Sequence, residues 1–418
     1  MRRVVVTGMG IWSSIGQNLQ TVTENLKQGC SGIIFDSQRT EYGLHSGLVG
    51  DVPRPDLKPL LPRKLRATMS EDAEYAYMAA RQAFEQAAIN DAYLGQNEVG
   101  VIWGNGWNAH LMESNQIMEK EHDSQMVGPN ALFQCDPSSV TMNLNTIFHL
   151  KGISLCLSAA CSSGGHSIGL ATTLIRQGLQ ETILVGSSTS NDMRCAPFTD
   201  AAETLSLRNN DPQCASRPFD NNRDGMVLSG GAAALVLEEY EHAVARGATI
   251  LAEVVGYGFS SNGIDEISKP SAEGEYVAMK RALDDAGLQP SDIDYVNAHA
   301  TSTIVGDIEE AKALTRLFVE KNQITNHKSQ ITNKRPFVSS TKSITGHECW
   351  MAGASEAVYS ILMMQSNFVA PNINLENVID EAKDLNIVRE TIYAPIDTIL
   401  SNSFGMGGTN SALVFKKI

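Results

Sequence analysis

The chain has 418 residues, of which 42% are hydrophobic and 19% charged, and its formal net charge is −15. This length and composition are typical of a soluble protein larger than one ordinary domain, and the acidic balance argues against nucleic acid as a main partner. Seven cysteines without framework spacing indicate a reducing compartment, and the lack of an apolar run of about 18 residues argues against a membrane helix, so we expect a cytoplasmic protein.

Strand-like and helix-like segments alternate along the chain, which favours an α/β fold. The opening run MRRVVVTGMGI predicts a buried strand and is too short for a signal peptide. Further strand-like runs follow in the order VGVIWG, GISLCL, ETILVG, AAALVLEE, ILAEVVGYGF, IDYVNAH, PFVSS and SALVFKK. Helical patterns lie between them, as at residues 70–88 and 274–287, and the polar stretch 320–335 predicts a surface excursion.

Cys161 follows the strand-like run at 153–157 and precedes a helical pattern that opens with Ser and Gly residues. The first turn of a helix carries unpaired N–H groups and the positive end of the helix dipole, which favour a thiolate. Histidines that could assist a nucleophilic thiol occur in NAHATST (297–303) and TKSITGHE (341–348). No Cys/His cluster has zinc spacing, so the sequence predicts a cysteine nucleophile and no metal site.

The two parts of the chain share a pattern in which a strand leads to a reactive side chain and then to a helix opened by small residues. Cys161 occupies this place in the first part, and His347 occupies it in the second, before AGASEAVYSILMMQ. A duplicated α/β unit would bring two such helix starts together near a pseudo-twofold axis.

The sequence resembles the β-ketoacyl-acyl carrier protein synthases of the thiolase-like superfamily, the elongating condensing enzymes. The similarity runs essentially end to end and includes VVVTGMGIWSSIG, SRPFDNNRDGMVLSGGAAALVLEE and NSFGMGGTNSALVF. It implies a thiolase-like α/β fold with duplicated halves in α-β-α-β-α layers, divided into 1–250, with Cys161, and 251–418, with His299 and His347. It also implies a homodimer, or a heterodimer with a related subunit, that condenses acyl and malonyl thioesters.

The resemblance assigns the chemistry to a small set of groups. Cys161 would hold the acyl chain while malonyl-acyl carrier protein loses carbon dioxide in a decarboxylative Claisen condensation. His299 and His347 would donate hydrogen bonds to the enolate oxygen, and the backbone N–H groups of Cys161 and Met406 would form the oxyanion hole. No cofactor is expected, because the phosphopantetheine of the acyl carrier protein carries the substrates.

Other polar residues match family positions that support this chemistry. Lys342 would pair with Glu356 and hold water and the histidine in place, and Glu310 matches an acid that orders the network. Thr301 and Thr303 match hydroxyls that hydrogen-bond the phosphopantetheine arm.

A compact basic group in this acidic chain suggests where a carrier protein binds. Arg63, Lys64 and Arg66 lie together in LPRKLRATMSED, and Arg208 is expected to join them. Positive charges of this kind attract an acidic partner even when the net charge is negative.

The sequence departs from the family at the predicted substrate pocket, which also includes Phe404. Met226 and Met406 stand where the family commonly has Phe, Trp350 replaces a glycine, and Trp107 lies where residue size gates the acyl pocket. None of these changes removes a catalytic group. They predict a reshaped pocket, which leaves open whether the acyl chain is an ordinary fatty one or an aromatic or polyene one.

Three other classes of protein compete with an active elongating enzyme. The first is a non-catalytic subunit like a chain-length factor, which usually lacks the nucleophile that Cys161 supplies here. A CoA-dependent thiolase would carry a second cysteine near the C-terminus, where this chain has SFGMGGTN. A starter-type synthase would combine the cysteine with one His and one Asn, whereas this chain has two histidines.

Overall fold

The computed structural model describes residues 1–320 and 335–418, so nearly all of the predicted surface excursion at 320–335 lies outside the described residues. The strands in the described ranges are β1 (Val4–Trp12), β2 (Ile33–Phe35), β3 (Leu48–Gly50), β4 (Val99–Gly104), β5 (Ser154–Leu157), β6 (Thr182–Thr189), β7 (Gly231–Glu239), β8 (Ala252–Ser261), β9 (Tyr295–Asn297), β10 (Phe337–Ser339), β11 (Asn386–Ile387), β12 (Thr398–Gly405) and β13 (Thr409–Lys416). Every run that the sequence predicted as a strand is found, whereas β2, β3, β11 and β12 were not among them.

The α-helices are α1 (Leu19–Gln28), α2 (Ser37–Tyr42), α3 (Arg63–Arg66), α4 (Glu71–Gln86), α5 (Asp91–Gln96), α6 (Ala109–Glu121), α7 (Ala131–Gln134), α8 (Ser139–Phe148), α9 (Ser163–Arg176), α10 (Pro197–Ala201), α11 (Tyr240–Ala245), α12 (Ala272–Ala286), α13 (Ile304–Thr315), α14 (Lys342–Thr345) and α15 (Ala352–Ser366). Short 3₁₀ segments lie at Ser124–Val127, Met193–Cys195, Pro212–Cys214, Pro290–Asp292, Cys349–Met351 and Asp380–Ala382, and a π-helical turn at Arg316–Glu320 extends α13. Among the described helices, none combines the length and apolar character that a membrane crossing needs.

The strands repeat one topology in the two parts of the chain. The first part has the order β5-β4-β6-β7-β1, and the second has β10-β9-β12-β13-β8, with β11 added at its outer edge. In both, the first three strands are parallel and the next two join antiparallel. A short antiparallel pairing of β1 with β8 connects the two parts. The predicted duplication of α/β halves is therefore confirmed.

Two helices lie between the halves of this sheet. Helix α9 contacts β4 and β6 on one side and β8 and β13 on the other, and α15 contacts β7 and β12. Helix α4 covers the outer face of the first half, and α12 covers that of the second. Helix α15 is buried from Ala352 to Met364, as expected of a helix that is apolar on all sides. The predicted α-β-α-β-α layering is thus confirmed.

Glycines allow α9 and α15 to cross closely at their first turns. A Cβ on Gly164 would lie 2.5 Å from Ala354 N, and one on Gly353 would lie 2.3 Å from Gly165 N. Since backbone atoms cannot rotate away as side chains do, these positions require glycine. The close crossing brings the starts of both helices, and the residues just before them, to one place.

Candidate active site

Cys161 lies against the two histidines that follow β9 and β10. Its Sγ is 3.0 Å from Nε2 of His347. The imidazole rings of His299 and His347 are 5.3 Å apart at 85°, and one donor atom from each of the three side chains lies within 4.8 Å of the others. The structure therefore brings together the three residues that the sequence singled out from separate motifs.

The backbone turns sharply just before the nucleophile. Ala160 has a φ of +47°, in the left-handed region that a residue with a Cβ rarely adopts. Side-chain hydroxyls hold this turn, because Ser163 Oγ donates to Ala160 O at 2.7 Å and Ser162 Oγ donates to Ala159 O at 2.7 Å. The serines after Cys161 thus stabilise the strained turn that presents the thiol.

The expectation that the helix start favours a thiolate is wrong for the resting site. Burial raises the pKa of Cys161, against the opposing effect of the Met406 backbone N–H and of the Lys342 ammonium. Helix α9 begins only at Ser163, two residues beyond the thiol, so the helix dipole does not outweigh the loss of water. The backbone N–H of Cys161 also lowers the thiol pKa, so it acts on the sulfur together with that of Met406.

Both histidines are neutral in this environment. Burial, together with the Lys342 ammonium, lowers the pKa of His347 to about 3. Burial, Lys342 and His347 lower the pKa of His299 well below its usual range. A neutral imidazole has one acceptor nitrogen and one N–H, so His347 can accept the thiol proton and each ring can donate one hydrogen bond. The Phe404 ring packs 5.9 Å from that of His299.

A buried ion pair accounts for this positive field. Lys342 Nζ donates a hydrogen bond to Glu356 Oε1, as the resemblance implied, and both side chains are buried. Burial raises the pKa of Glu356 to about 8, against the lowering effect of Lys342. Lys342 begins α14 between β10 and His347, so its charge reaches Cys161 and both imidazoles.

Glu310 fixes the loop that carries His299. It accepts hydrogen bonds from His299 N at 2.9 Å, from Ala300 N at 2.6 Å and from Asn402 Nδ2 at 3.1 Å. Burial raises its pKa to about 7, and these donors act in the opposite direction. The carboxyl group therefore positions the backbone of the first histidine motif and links it to β12.

Thr301 and Thr303 present adjacent hydroxyls, with their Oγ1 atoms 3.0 Å apart. Arg223 holds the end of this loop by donating to Thr303 O at 2.9 Å. Asp307 accepts hydrogen bonds from Ser302 N at 3.1 Å and from Phe219 N at 2.8 Å. The Arg223–Asp307 pair was not predicted, although the charges of NNRDGM and GDIEE were visible in the sequence.

Glu348 is a second buried acid that the sequence analysis missed. Ser355 Oγ donates to its Oε2, and the Tyr359 hydroxyl donates to its Oε1 at 2.7 Å. Burial raises its pKa to about 7. Its place directly after His347 was the one available signal, and its bonds attach that histidine's backbone to α15.

Two cavities meet at Cys161. One, of about 390 Å³, is lined by both histidines, the two threonine hydroxyls and Phe404. The other, of about 370 Å³, is more apolar and is lined by Trp107 and Trp350. Met226 and Met406 line both. The thiol thus lies where one chamber of polar character opens into one of apolar character.

Three aromatic rings shape the apolar chamber. Trp107 lies 5.3 Å from Trp350 in a T-shaped arrangement and 4.9 Å from Phe198. Gly106 makes room for the second indole, because a Cβ there would lie 1.9 Å from Trp350 Cε2. The replacement of a family glycine by Trp350 therefore depends on a second glycine, which the sequence analysis did not connect with it.

The predicted basic group is only partly brought together. Arg63 and Lys64 are exposed on α3, and Arg66 donates to Leu61 O at 3.0 Å. Arg208 instead pairs with Asp224, a residue of the polar chamber, at 3.4 Å. In the described ranges, no hydrogen bond or ion pair joins Arg208 to the α3 group.

Within the described residues, the thiol and two imidazoles are the one group of three side chains with the spacing of a metal site. This donor set is one that zinc accepts in proteins. The same three groups also suit a cysteine nucleophile with two hydrogen-bond donors. The expectation of a site without metal stays a prediction.

Comparison with known proteins decides the family. The N-terminal domain profile of β-ketoacyl synthases matches residues 1–243, and the C-terminal domain profile matches residues 251–376. The chain belongs to the β-ketoacyl synthase family. Over the whole chain it is 39% identical to 3-oxoacyl-[acyl-carrier-protein] synthase 1 of Haemophilus influenzae, covering 99% of that protein, and 39% identical to that of Escherichia coli K12, covering 100%.

Solved structures of β-ketoacyl synthases have the same fold. A β-ketoacyl synthase from Burkholderia phymatum superimposes with a TM-score of 0.92 at 34% identity, with 100% of both chains covered. A type II polyketide ketosynthase, determined in complex with its acyl-carrier protein, gives a TM-score of 0.87 at 28% identity and covers 100% of this chain and 99% of that one. The thiolase-like fold implied by the resemblance is therefore confirmed.

Proposed function

We propose that this chain is a 3-oxoacyl-acyl carrier protein synthase, an acyltransferase that condenses an acyl thioester with malonyl-acyl carrier protein. The observation that carries the proposal is the contact of Cys161 Sγ with His347 Nε2, 3.0 Å apart, at the junction of the two chambers. Full-length similarity to 3-oxoacyl-[acyl-carrier-protein] synthases supports the same reaction.

The first half-reaction transfers the acyl group to the cysteine. Sγ of Cys161 attacks the thioester carbonyl while its proton passes to Nε2 of His347. The backbone N–H groups of Cys161 and Met406 stabilise the oxyanion, and both already act on the sulfur in the resting site. The carbon–sulfur bond to the carrier then breaks, and the departing thiolate takes the proton from His347, whose low pKa favours release.

The second half-reaction makes the new carbon–carbon bond. Malonyl thioester occupies the polar chamber, its bond to the carboxylate breaks, and the electron pair moves to the thioester oxygen as carbon dioxide leaves. His299 and His347 donate hydrogen bonds to this enolate oxygen; acylation has removed the thiol proton that previously engaged His347 Nε2. The enolate carbon attacks the acyl carbonyl, and the electron pair of the breaking carbon–sulfur bond returns to Cys161.

The acyl chain extends into the apolar chamber beside Trp107 and Trp350. This assignment follows from the chamber's aromatic lining and its contact with the nucleophile. Adding bulk to a closed pocket disfavours long chains, whereas polarizable methionine side chains pack well against π-systems. We therefore favour short or flat conjugated acyl groups over long saturated ones.

The carrier protein and the assembly complete the proposal. Exposed Arg63 and Lys64 on α3 offer positive charge to an acidic acyl carrier protein. Strand β5 lies at an edge of the sheet, with Leu155 41% exposed. Other exposed apolar side chains between β4 and β5 are Trp107, Leu111, Met118, Met126, Leu132, Phe133 and Met142. An unpaired apolar edge of this size favours a homodimer, with a heterodimer as the alternative outcome of a mass measurement in solution.

The cellular compartment is proposed from the cysteines. All seven are free thiols, including the exposed Cys30. Free thiols persist in reducing surroundings, which supports the cytoplasm as the place of action.

The function is tested by supplying acyl- and malonyl-acyl carrier protein and following the 3-oxoacyl product by mass spectrometry. We expect product only when both thioesters are present. A protein that binds both but neither acylates Cys161 nor releases carbon dioxide would instead be a non-catalytic subunit of the chain-length-factor type.

A further inference from the structure

Glu275 is a buried acid that the mechanism above does not use. It lies in the first turn of α12, is 2% exposed, and lines the polar chamber with Cys161 and His299. Its Oε2 atom is buried and has no hydrogen-bond partner in the described part of the chain. A buried polar atom without a partner is costly, so a carboxyl facing a substrate chamber in this state calls for a ligand.

The acids around Glu275 differ from it, because each already has partners. Glu310 binds two backbone N–H groups, as described above. Glu309 accepts hydrogen bonds from Ala272 N and from Lys312 Nζ, and Asp307 accepts from two backbone N–H groups and lies beside Arg223. Burial, together with the negative charges of these three acids, raises the pKa of Glu275 well above its usual value. Glu275 is thus a neutral carboxyl at neutral pH, with one O–H donor and a carbonyl acceptor.

The surroundings select the chemistry of the ligand. Negative neighbours disfavour an anion such as the malonyl carboxylate, and the neutral acid offers no charge to a cation. A secondary amide is the complement of a neutral carboxyl, because its C=O accepts from the O–H while its N–H donates to the acid carbonyl. The hydroxyls of Thr301 and Thr303 line the same chamber and suit the same polar, uncharged ligand.

We propose that Glu275 is a positioning residue that binds an amide of the thioester-bearing arm through a pair of hydrogen bonds. The inference rests on the proposed function, since the arm enters the polar chamber to deliver its thioester to Cys161. Glu275 would hold the arm at the depth at which the thioester carbonyl meets the nucleophile. Binding of this kind acts on the substrate at rest and in the transition state alike, so it affects KM more than kcat.

The test compares Glu275→Met and Glu275→Gln, two variants of nearly the same length as glutamate. Acylation of Cys161 is measured with three hexanoyl thioesters: the pantetheine thioester with two amides, the N-acetylcysteamine thioester with one, and a propyl thioester with none. We expect Glu275→Met to raise KM about tenfold or more for amide-bearing thioesters at little-changed kcat, and to leave the propyl thioester unaffected. Glu275→Gln should stay within about threefold of the unsubstituted protein, since a primary amide makes the same pair of bonds.

Glu273→Ala is the matched control, because this exposed acid lies on the same turn and pairs with Arg316 away from the chamber. It should change none of the three KM values. The inference is overturned if Glu275→Met leaves all three KM values unchanged, or weakens the propyl thioester as much as the pantetheine one. The proposed function fails separately, if the unsubstituted protein forms no acyl-enzyme with any thioester.

Discussion

The crossing of α9 and α15 predicts that a single methyl group at Gly353 disables the site. A Cβ there would lie 2.3 Å from Gly165 N, whereas ordinary contacts begin at 3.4 Å, so the helices must separate by about 1 Å. The opposing atom is backbone and both helices are buried, so no rotamer change relieves the clash. We expect Gly353→Ala to lower the free energy of unfolding by about 1–3 kcal/mol, the usual cost of overpacking.

The same separation moves Cys161, two residues before α9, relative to His347, which precedes α15. A misplacement of about 1 Å costs on the order of 10²-fold in rate, so the variant should acylate about a hundred times more slowly while it remains folded. Circular dichroism and a single-turnover acylation assay measure the two effects.

Gly95→Ala is the control for this prediction, because a Cβ at Gly95 in α5 meets nothing within 4 Å. Replacing this helical glycine should stabilise the protein by up to about 1 kcal/mol and leave acylation unchanged. An active Gly353→Ala variant of undiminished stability would refute the claim that the helix crossing positions the site.

Three further substitutions test separate parts of the mechanism and recognition. His299→Ala and His347→Ala should each lower carbon dioxide release from malonyl-carrier protein by about 10²–10³, the usual loss for one oxyanion donor, and unchanged release would remove that histidine from the step. Arg63→Glu with Lys64→Glu should slow acylation by acyl-carrier protein about tenfold or more at low salt and spare small thioesters; equal rates would make α3 ordinary surface. Trp350→Gly should extend the saturated chains that load Cys161, and an unchanged chain-length profile would show that the indole does not limit the pocket.

Local patterns were sufficient to predict most of the fold. Runs such as VGVIWG and AAALVLEE are apolar and β-branched, and they became the central strands β4 and β7. The strand β12 was not among the predicted runs, because its polar residues TILSNSFG conceal a strand that is buried along its whole length. The division of the chain at residue 250 stays a prediction.

The site was predictable where chemistry depends on residue type and not where it depends on environment. Cys161, His299 and His347 could be selected from their motifs, and the structure places them in contact. The protonation of the thiol could not, because it depends on burial that is set by both halves of the chain. Glu275 gave no signal either, since an acid in the first turn of a helix is usually solvated and favours the dipole there.

The central claim is that Cys161 carries the acyl group during condensation. Intact-mass spectrometry of the protein incubated with hexanoyl-acyl carrier protein tests it most directly, with Cys161→Ala as the comparison. We expect the unsubstituted protein to gain the mass of one hexanoyl group per chain and to lose it when malonyl-acyl carrier protein is added, as the 3-oxo product appears. The folded Cys161→Ala variant should gain no mass and make no product. An acylated Cys161→Ala protein, or product formation without any acyl-enzyme, would contradict the account.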